Sequence, residues 1–219
     1  MFPIGDDNRS ERSAAIVNYL LIVANVLAFF YELSQPHPQR FITLWGAVPE
    51  YISHGERLST LVTSMFLHGG WMHLIGNMVF LYVFGDNVED AFGHLRYLLF
   101  YFACGIAAGL AQVFLASHSS LPGVGASGAI SGVMAAYLLM FAGNRVRVFF
   151  FFSIITVPAF VMIGLWIVMQ FFNGIASFAH TQQTGGVAYA AHIGGFIAGL
   201  ILTGIMRAGG ARRAPYFAR

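Results

Sequence analysis

The sequence predicts an all-α membrane protein, a bundle of six transmembrane helices with a long first loop at the membrane interface. Three observations support this prediction. The 219-residue chain is 58% hydrophobic and only 9% charged, whereas a soluble domain carries about 25% charged residues. Several apolar stretches approach the roughly 20 residues that span a bilayer as a helix. These stretches do not alternate with polar residues, which favours helices over barrel strands.

The six apolar segments divide the chain into a short N-terminal tail (1–13), a membrane domain (14–206) and a basic C-terminal tail (207–219). The predicted helices cover residues 14–33, 72–92, 95–116, 127–143, 147–172 and 188–206. The connection over residues 34–71 is too long for a tight turn and contains three prolines. We therefore expect short amphipathic helices at the membrane interface there.

The arginines predict how the chain is oriented. If both termini are cytoplasmic, only Arg40 and Arg57 of the eleven arginines lie outside, as the positive-inside rule requires. The cytoplasmic arginines are then Arg9, Arg12, Arg96, Arg145, Arg147, Arg207, Arg212, Arg213 and Arg219. With neither a transit peptide nor long tails, the chain is predicted to be a multi-pass protein of a cell membrane, the bacterial inner membrane. A net charge of +2 does not indicate nucleic-acid binding.

Small residues surround Ser127 at the predicted start of the fourth helix, in the string GVGASGAISG. Gly125 and Gly128 let the backbone turn tightly and let other groups approach closely. A serine at a helix N-terminus can cap the helix or serve helix packing. It can also act chemically beside free N–H groups and a partial positive charge. The string alone leaves these alternatives open.

His192 lies within an otherwise apolar helix, where an ionisable residue is costly and indicates function. Gly195 and Gly199 share its helix face and carry no side-chain bulk. This smooth face matches the small residues beside Ser127, so the two helices can bring a hydroxyl and an imidazole within hydrogen-bond reach. The alternative is a packed histidine bonded to a carbonyl.

A third polar cluster lies in the string FLHGGWMHLIGNM. His73 and Asn77 are four residues apart and share a helix face, and His68 lies just upstream. Their N–H groups suit the stabilisation of a developing oxyanion, although an interhelical hydrogen bond is the alternative. No HExxH string and no nearby acidic residue favours a metal site, so none is predicted.

Together the three clusters resemble the rhomboid intramembrane serine proteases, over roughly residues 56–206. The matching strings are H-G-G-W-x-H-L-x-x-N-M at 68–78, G-x-S-G at 125–128 and A-H-x-x-G-x-x-x-G at 191–199. The resemblance implies a serine endopeptidase without a cofactor, acting in the lipid bilayer on transmembrane protein substrates. It leaves the oligomeric state open.

The resemblance also implies a role for each matched residue. Ser127 would be the nucleophile and His192 the general base and acid. His73, Asn77 and the Ser127 backbone N–H would form the oxyanion hole, supported by Gly125, Gly128 and His68. Glu89 and the loop around Trp45 would be structural. Such a dyad lacks the carboxylate that orients histidine in soluble triads, and helix packing could replace it.

The chain departs from the family pattern at two places. Ser59 and Thr60 stand where the family often has Trp-Arg, so the first loop is expected to be anchored differently in this chain. Ser131 stands where an aromatic ring often stacks on the catalytic histidine, so His192 is expected either to be held more loosely or to be covered by another ring. Neither departure removes a reacting group.

Two other functions fit parts of the sequence. A catalytically silent relative would bind transmembrane helices, but it would have no need to keep Ser127, His192, His73 and Asn77. A small transporter or channel would also contain buried polar groups. The sequence shows neither an inverted repeat nor a buried acidic residue for ion coupling, so the protease is preferred.

Overall fold

The computed structural model describes residues 2–6, 14–179 and 189–208, and of residues 175–179 only the backbone. The chain is predominantly helical, as predicted. The helices are α1 (Ile16–Leu33), α2 (Pro38–Trp45), α3 (Pro49–Ser53), α4 (Thr60–Thr63), α5 (Trp71–Phe92), α6 (His94–Leu115), α7 (Ser127–Phe141), α8 (Ala159–Ala179) and α9 (Tyr189–Ala208). The strands are β1 (Phe2–Gly5), β2 (Arg145–Phe150) and β3 (Ser153–Pro158).

Three of the described helices, α1, α6 and α9, are long and apolar enough to cross a membrane. Helix α7 and the Ala159–Gly174 part of α8 are apolar but shorter. Helix α5 has 22 residues but carries three acidic side chains near its end. The count of six crossings therefore stays a prediction, as do the orientation and the interfacial position of α2, α3 and α4.

The prediction of one helix over residues 147–172 is wrong, and the predominantly helical fold contains a small three-stranded sheet that was not predicted. Strands β2 and β3 form an antiparallel hairpin, and α8 begins only at Ala159. In β2 the side chains alternate, with Val146 and Val148 fully buried and Arg145 and Arg147 exposed. This two-residue period and the β-branched residues of both strands favour extended backbone over helix.

The N-terminal residues belong to the same sheet. Strand β1 pairs antiparallel with β2, which gives the strand order β1-β2-β3. Asp6 then accepts hydrogen bonds from Asn87 of α5 and Tyr137 of α7. The first residues of the predicted tail are thus packed on the helices, whereas residues 7–13 lie outside the described part. Residues 209–219 of the predicted C-terminal tail also lie outside it.

Helix α7 is the centre of the bundle and packs against α5, α6 and α9. Its contact with α9 is made by glycines on both helices. A Cβ atom on Gly195 would lie 2.0 Å from the Gly128 carbonyl oxygen, and one on Gly199 would lie 2.5 Å from that of Gly132. The backbones of α7 and α9 therefore touch directly, as the sequence predicted.

Glu89 ties α5 to the start of α1. Its buried carboxylate accepts hydrogen bonds from the backbone N–H groups of Val17, at 2.9 Å, and Asn18, at 2.7 Å. These N–H groups belong to the first turn of α1, where no intrahelical acceptor exists. The side chain of Asn18 in turn accepts a hydrogen bond from Tyr97 of α6 at 2.8 Å. One carboxylate thus organises the junction of three helices.

Candidate active site

Ser127 is the first residue of α7, and the turn before it depends on glycine. Gly125 has a φ of +115°, a conformation that other residues rarely adopt. A Cβ atom there would also lie 2.7 Å from the His73 ring. The Gly125 N–H donates to the Ser64 carbonyl at 2.9 Å, which fixes the turn against the segment before α5.

His192 of α9 faces Ser127 directly. Its Nε2 atom lies 2.7 Å from the Ser127 Oγ atom, within hydrogen-bond distance. The glycine contacts between α7 and α9 allow this distance, since a larger residue at Gly195 would push the two helices apart. The structure therefore brings together the two residues that the sequence assigns to nucleophile and base.

His73 and Asn77 of α5 border the same cavity as Ser127 and His192. This cavity has a volume of about 450 Å³ and an otherwise mostly apolar lining. The Asn77 Nδ2 atom is buried and has no hydrogen-bond partner among the described residues. A buried donor without a partner is costly. Its position beside Ser127 suits an acceptor that arrives with a substrate.

His68 does not border this cavity but lies behind His73, with the two ring centroids 5.1 Å apart. It belongs to the segment between the short helices and α5, and it is fully buried. Its backbone N–H donates to the Glu32 carboxylate of α1 at 3.0 Å. Burial lowers the pKa of His68 to about 4, so its ring is neutral at pH 7. Its supporting role stays a prediction.

Two residues of α8 at this site were missed in the sequence. Gln170 places its Oε1 atom 2.8 Å from the Nδ1 atom of His192. Trp166 lies one turn earlier, with its ring centroid 5.8 Å from that of His192. The sequence feature that could have indicated them is a glutamine within an apolar run, four residues after a tryptophan.

Ser131 cannot take the place of an aromatic ring on His192. Its hydroxyl donates to the Ser127 carbonyl of its own helix at 2.6 Å. Trp166 and, at 6.5 Å, the ring of Tyr189 lie against His192 instead. The histidine thus has aromatic neighbours from α8 and α9.

The groups gathered around this cavity match the needs of acyl transfer. Such a reaction takes a hydroxyl nucleophile, a base within hydrogen-bond reach and donors for a developing oxyanion. Ser127 and His192 have the first two types of group, and Asn77 and His73, which border the same cavity, carry N–H groups.

The chain is similar to proteins of one known family. The family model of the rhomboid domain matches residues 55–209. The rhomboid protease AarA of Providencia stuartii is 30% identical, over 92% of this chain and 76% of that protein. The rhomboid protease GluP of Bacillus subtilis is also 30% identical, over 93% of this chain but only 39% of its own length.

A plant relative extends the comparison. Rhomboid-like protein 11 of Arabidopsis thaliana, described as chloroplastic, is 30% identical over 61% of this chain and 45% of its own length. The chain thus spans less than two thirds of two of these three relatives. The apolar helices and these relatives together indicate a multi-pass membrane protein. A domain match over most of the chain, and a similar protease that it largely covers, show that the chain belongs to the rhomboid family.

Proposed function

We propose that this chain is an intramembrane serine endopeptidase in which Ser127 and His192 form the catalytic dyad. One observation carries the proposal, the 2.7 Å distance between Ser127 Oγ and His192 Nε2 inside a membrane-protein bundle. The family relationship to named proteases supports the same reaction class. A purely structural serine at a helix N-terminus would cap its helix, but the Ser127 side chain reaches His192 instead.

In the first step, neutral His192 accepts the Ser127 hydroxyl proton on Nε2 while Oγ attacks the scissile carbonyl carbon. The carbonyl oxygen becomes an oxyanion. The protonated His192 then gives its proton to the leaving amine, and the peptide bond breaks to leave an acyl-enzyme. Water, activated by His192, hydrolyses this ester and restores Ser127.

The oxyanion would be stabilised from two sides. Helix α7 offers backbone N–H groups at its first turn, including that of Ser127, and the positive end of its dipole. Helix α5 offers the His73 ring and the Asn77 Nδ2 group, which has no hydrogen-bond partner among the described residues, at the same cavity. Preorganised donors of this kind contribute about 3–4 kcal/mol each to stabilising the transition state.

The substrates would be membrane proteins cut in or near a transmembrane segment. A peptide bond inside a regular helix is shielded, so the segment must unwind locally before Ser127 can reach it. Small or helix-breaking residues at the cleavage site would lower the cost of unwinding. The end of α7 that carries Ser127 is predicted to face the outer side, which places cleavage near that edge of the bilayer.

The decisive experiment labels the purified, detergent-solubilised protein with a fluorescent fluorophosphonate. The wild type is expected to be labelled and to cleave a model transmembrane substrate in liposomes. Ser127→Ala removes the nucleophile, and His192→Ala removes the base, so both variants should lose labelling and cleavage. Ser131→Ala is the matched control, because its hydroxyl is bonded within its own helix; labelling should be retained.

A folded wild type that is neither labelled nor able to cleave would contradict the proposal. The catalytically silent, helix-binding relative would then be the better interpretation. Labelling that persists in Ser127→Ala would show that another nucleophile reacts, and would equally overturn the assignment of Ser127.

A further inference from the structure

Gln170 meets the side of His192 that faces away from the nucleophile. The Nε2 atom of His192 lies 2.7 Å from Ser127 Oγ, and its Nδ1 atom lies 2.8 Å from Gln170 Oε1. To accept the serine proton, Nε2 must carry a lone pair, so the ring proton must reside on Nδ1. The Nδ1–H group then donates to Gln170 Oε1. This contact selects the tautomer that the reaction needs.

Helix α8 presents a second side chain to the same ring. Trp166 and Gln170 are four residues apart, so they lie on one face of α8. The Trp166 ring lies at 40° to the His192 ring, with centroids 5.8 Å apart. The ring contact restricts tilting of the imidazole, while the Gln170 bond restricts its rotation about the side-chain axis.

We infer that Gln170 is a positioning residue for catalysis, the neutral counterpart of the carboxylate in a Ser-His-Asp triad. The inference rests on the proposed function, because it needs His192 to act as the base. It gives the dyad a third member that packing between α7 and α9 does not provide. Trp166 supports it by confining the ring.

A neutral amide suits this place for a physical reason. A carboxylate orients imidazole more strongly, but its burial among apolar helices is expensive. An amide oxygen accepts the Nδ1–H bond with a far smaller desolvation cost. When His192 takes the serine proton, the Gln170 oxygen lies against a charged donor, and such hydrogen bonds are stronger. The contact therefore strengthens as the transition state forms.

The test compares Gln170→Met with Gln170→Glu in the full chain. Methionine keeps the length of the side chain but removes the acceptor, so kcat should fall about 10- to 100-fold with KM little changed. Glutamate restores an acceptor, so activity should recover relative to Gln170→Met. Its charge also favours the protonated imidazole, so the acid limb of the pH–rate profile should move upward by about one unit.

Controls separate positioning from folding and from the proposed function. Gln39→Met makes the same chemical change at an exposed site of α2 and should leave kcat unchanged. Unfolding temperatures in detergent report whether each variant is folded. If Gln170→Met fails to fold, Gln170→Glu still decides through its pH–rate profile.

The outcomes are distinguishable. A folded Gln170→Met with kcat within twofold of wild type, or a Gln170→Glu with an unmoved acid limb, overturns the role of Gln170 while Ser127 and His192 keep theirs. A wild type that is neither labelled by fluorophosphonate nor active removes the proposed function, and this inference with it. A slow Gln170→Met and a shifted, active Gln170→Glu support both.

Discussion

The Asn77 amide is the clearest single-residue indication of what enters the cavity. It is buried beside Ser127, and its Nδ2 atom has no hydrogen-bond partner among the described residues. If it donates to the oxyanion, Asn77→Ala should lower kcat by about 10²- to 10³-fold with a smaller change in KM. Steady-state cleavage of a transmembrane substrate in liposomes measures both constants. An unchanged kcat in Asn77→Ala would remove Asn77 from the oxyanion hole.

His68 predicts a dependence of stability on pH. Its ordinary pKa of 6.5 falls to about 4 in the folded protein because the ring is buried near His73. Below pH 6.5 the unfolded chain binds a proton that the folded chain does not, so stability should fall as the pH drops from about 6.5 to about 4. Replacement by a non-titrating residue, His68→Met, should make the decline shallower.

The measurement is the unfolding temperature in detergent at pH 7 and pH 5, for the wild type and for His68→Met. Groups that do not contact His68 titrate equally in both proteins, so the difference between their two slopes reports His68 and its interaction with His73. Parallel slopes would mean that His68 is protonated in the folded state, or that it is not buried as described.

At the scale of the helices, the contact between α7 and α9 predicts that replacing Gly199 destabilises the protein. A Cβ atom on Gly199 would lie 2.5 Å from the Gly132 carbonyl oxygen, and backbone cannot move aside cheaply. Gly199→Ala should therefore destabilise the fold by about 1–3 kcal/mol. It should also slow fluorophosphonate labelling, because α7 and α9 carry Ser127 and His192.

Gly204 is the matched control on the same helix. A Cβ atom there has no heavy atom of the described residues within 4 Å. Gly204→Ala should leave labelling unchanged and hold or slightly raise the unfolding temperature, since alanine favours helix over glycine. Equal losses of labelling and of unfolding temperature in both variants would show that the close approach at Gly199 is not their cause.

Patterns of small and polar residues let the sequence predict the central elements and the residues that meet around Ser127. Gly195, Gly199 and His192 share a face because of helical period alone, so their contact with α7 could be foreseen. The hairpin could not, because the apolar residues of 147–172 fit a membrane helix as well as a strand. The alternation in β2 is short beside the long apolar run, and the strands are fixed by pairing of β2 with β3 and, at a distance in sequence, with β1.

Gln170 was missed for a related reason. Gln170 lies in an apolar run that was predicted as one helix over residues 147–172, and nothing in the spacing links it to His192. Its role depends on how α8 packs against α9, which local periodicity does not encode. The same holds for Trp166, because its contact with His192 also depends on how α8 packs against α9. This contact provides the aromatic neighbour that Ser131 does not.

At the scale of the whole molecule, two groups of polar contacts lie at different places in the bundle. One surrounds Ser127 at the start of α7, and the other joins Glu89, Asn18 and Tyr97 where α5, α1 and α6 meet. Glu89→Ala should leave two N–H groups of α1 without their acceptor and lower the unfolding temperature. Protein that remains folded should still be labelled by fluorophosphonate.

Glu50→Ala, at an exposed carboxylate, is the control and should change the unfolding temperature little. The comparison is made by thermal unfolding in detergent, followed by labelling below the transition. If Glu89→Ala were as stable as wild type, the capping of α1 would have no energetic weight. If Glu89→Ala were as stable as wild type but not labelled, Glu89 would act in the reaction and would not stabilise the fold.

The pairing of β1 with β2 has a consequence for how the chain is made. Phe2 pairs with Phe149, 147 positions further along the chain. At synthesis rates of about 5–20 residues per second, β1 is made roughly 7–30 s before β2. Helices α1, α5, α6 and α7 are synthesised in between. During that interval β1 must stay unpaired and free of other strands. A bulky, fast-folding fusion placed directly before Phe2 would hinder this late closure and leave the edge of β2 open to pairing between molecules.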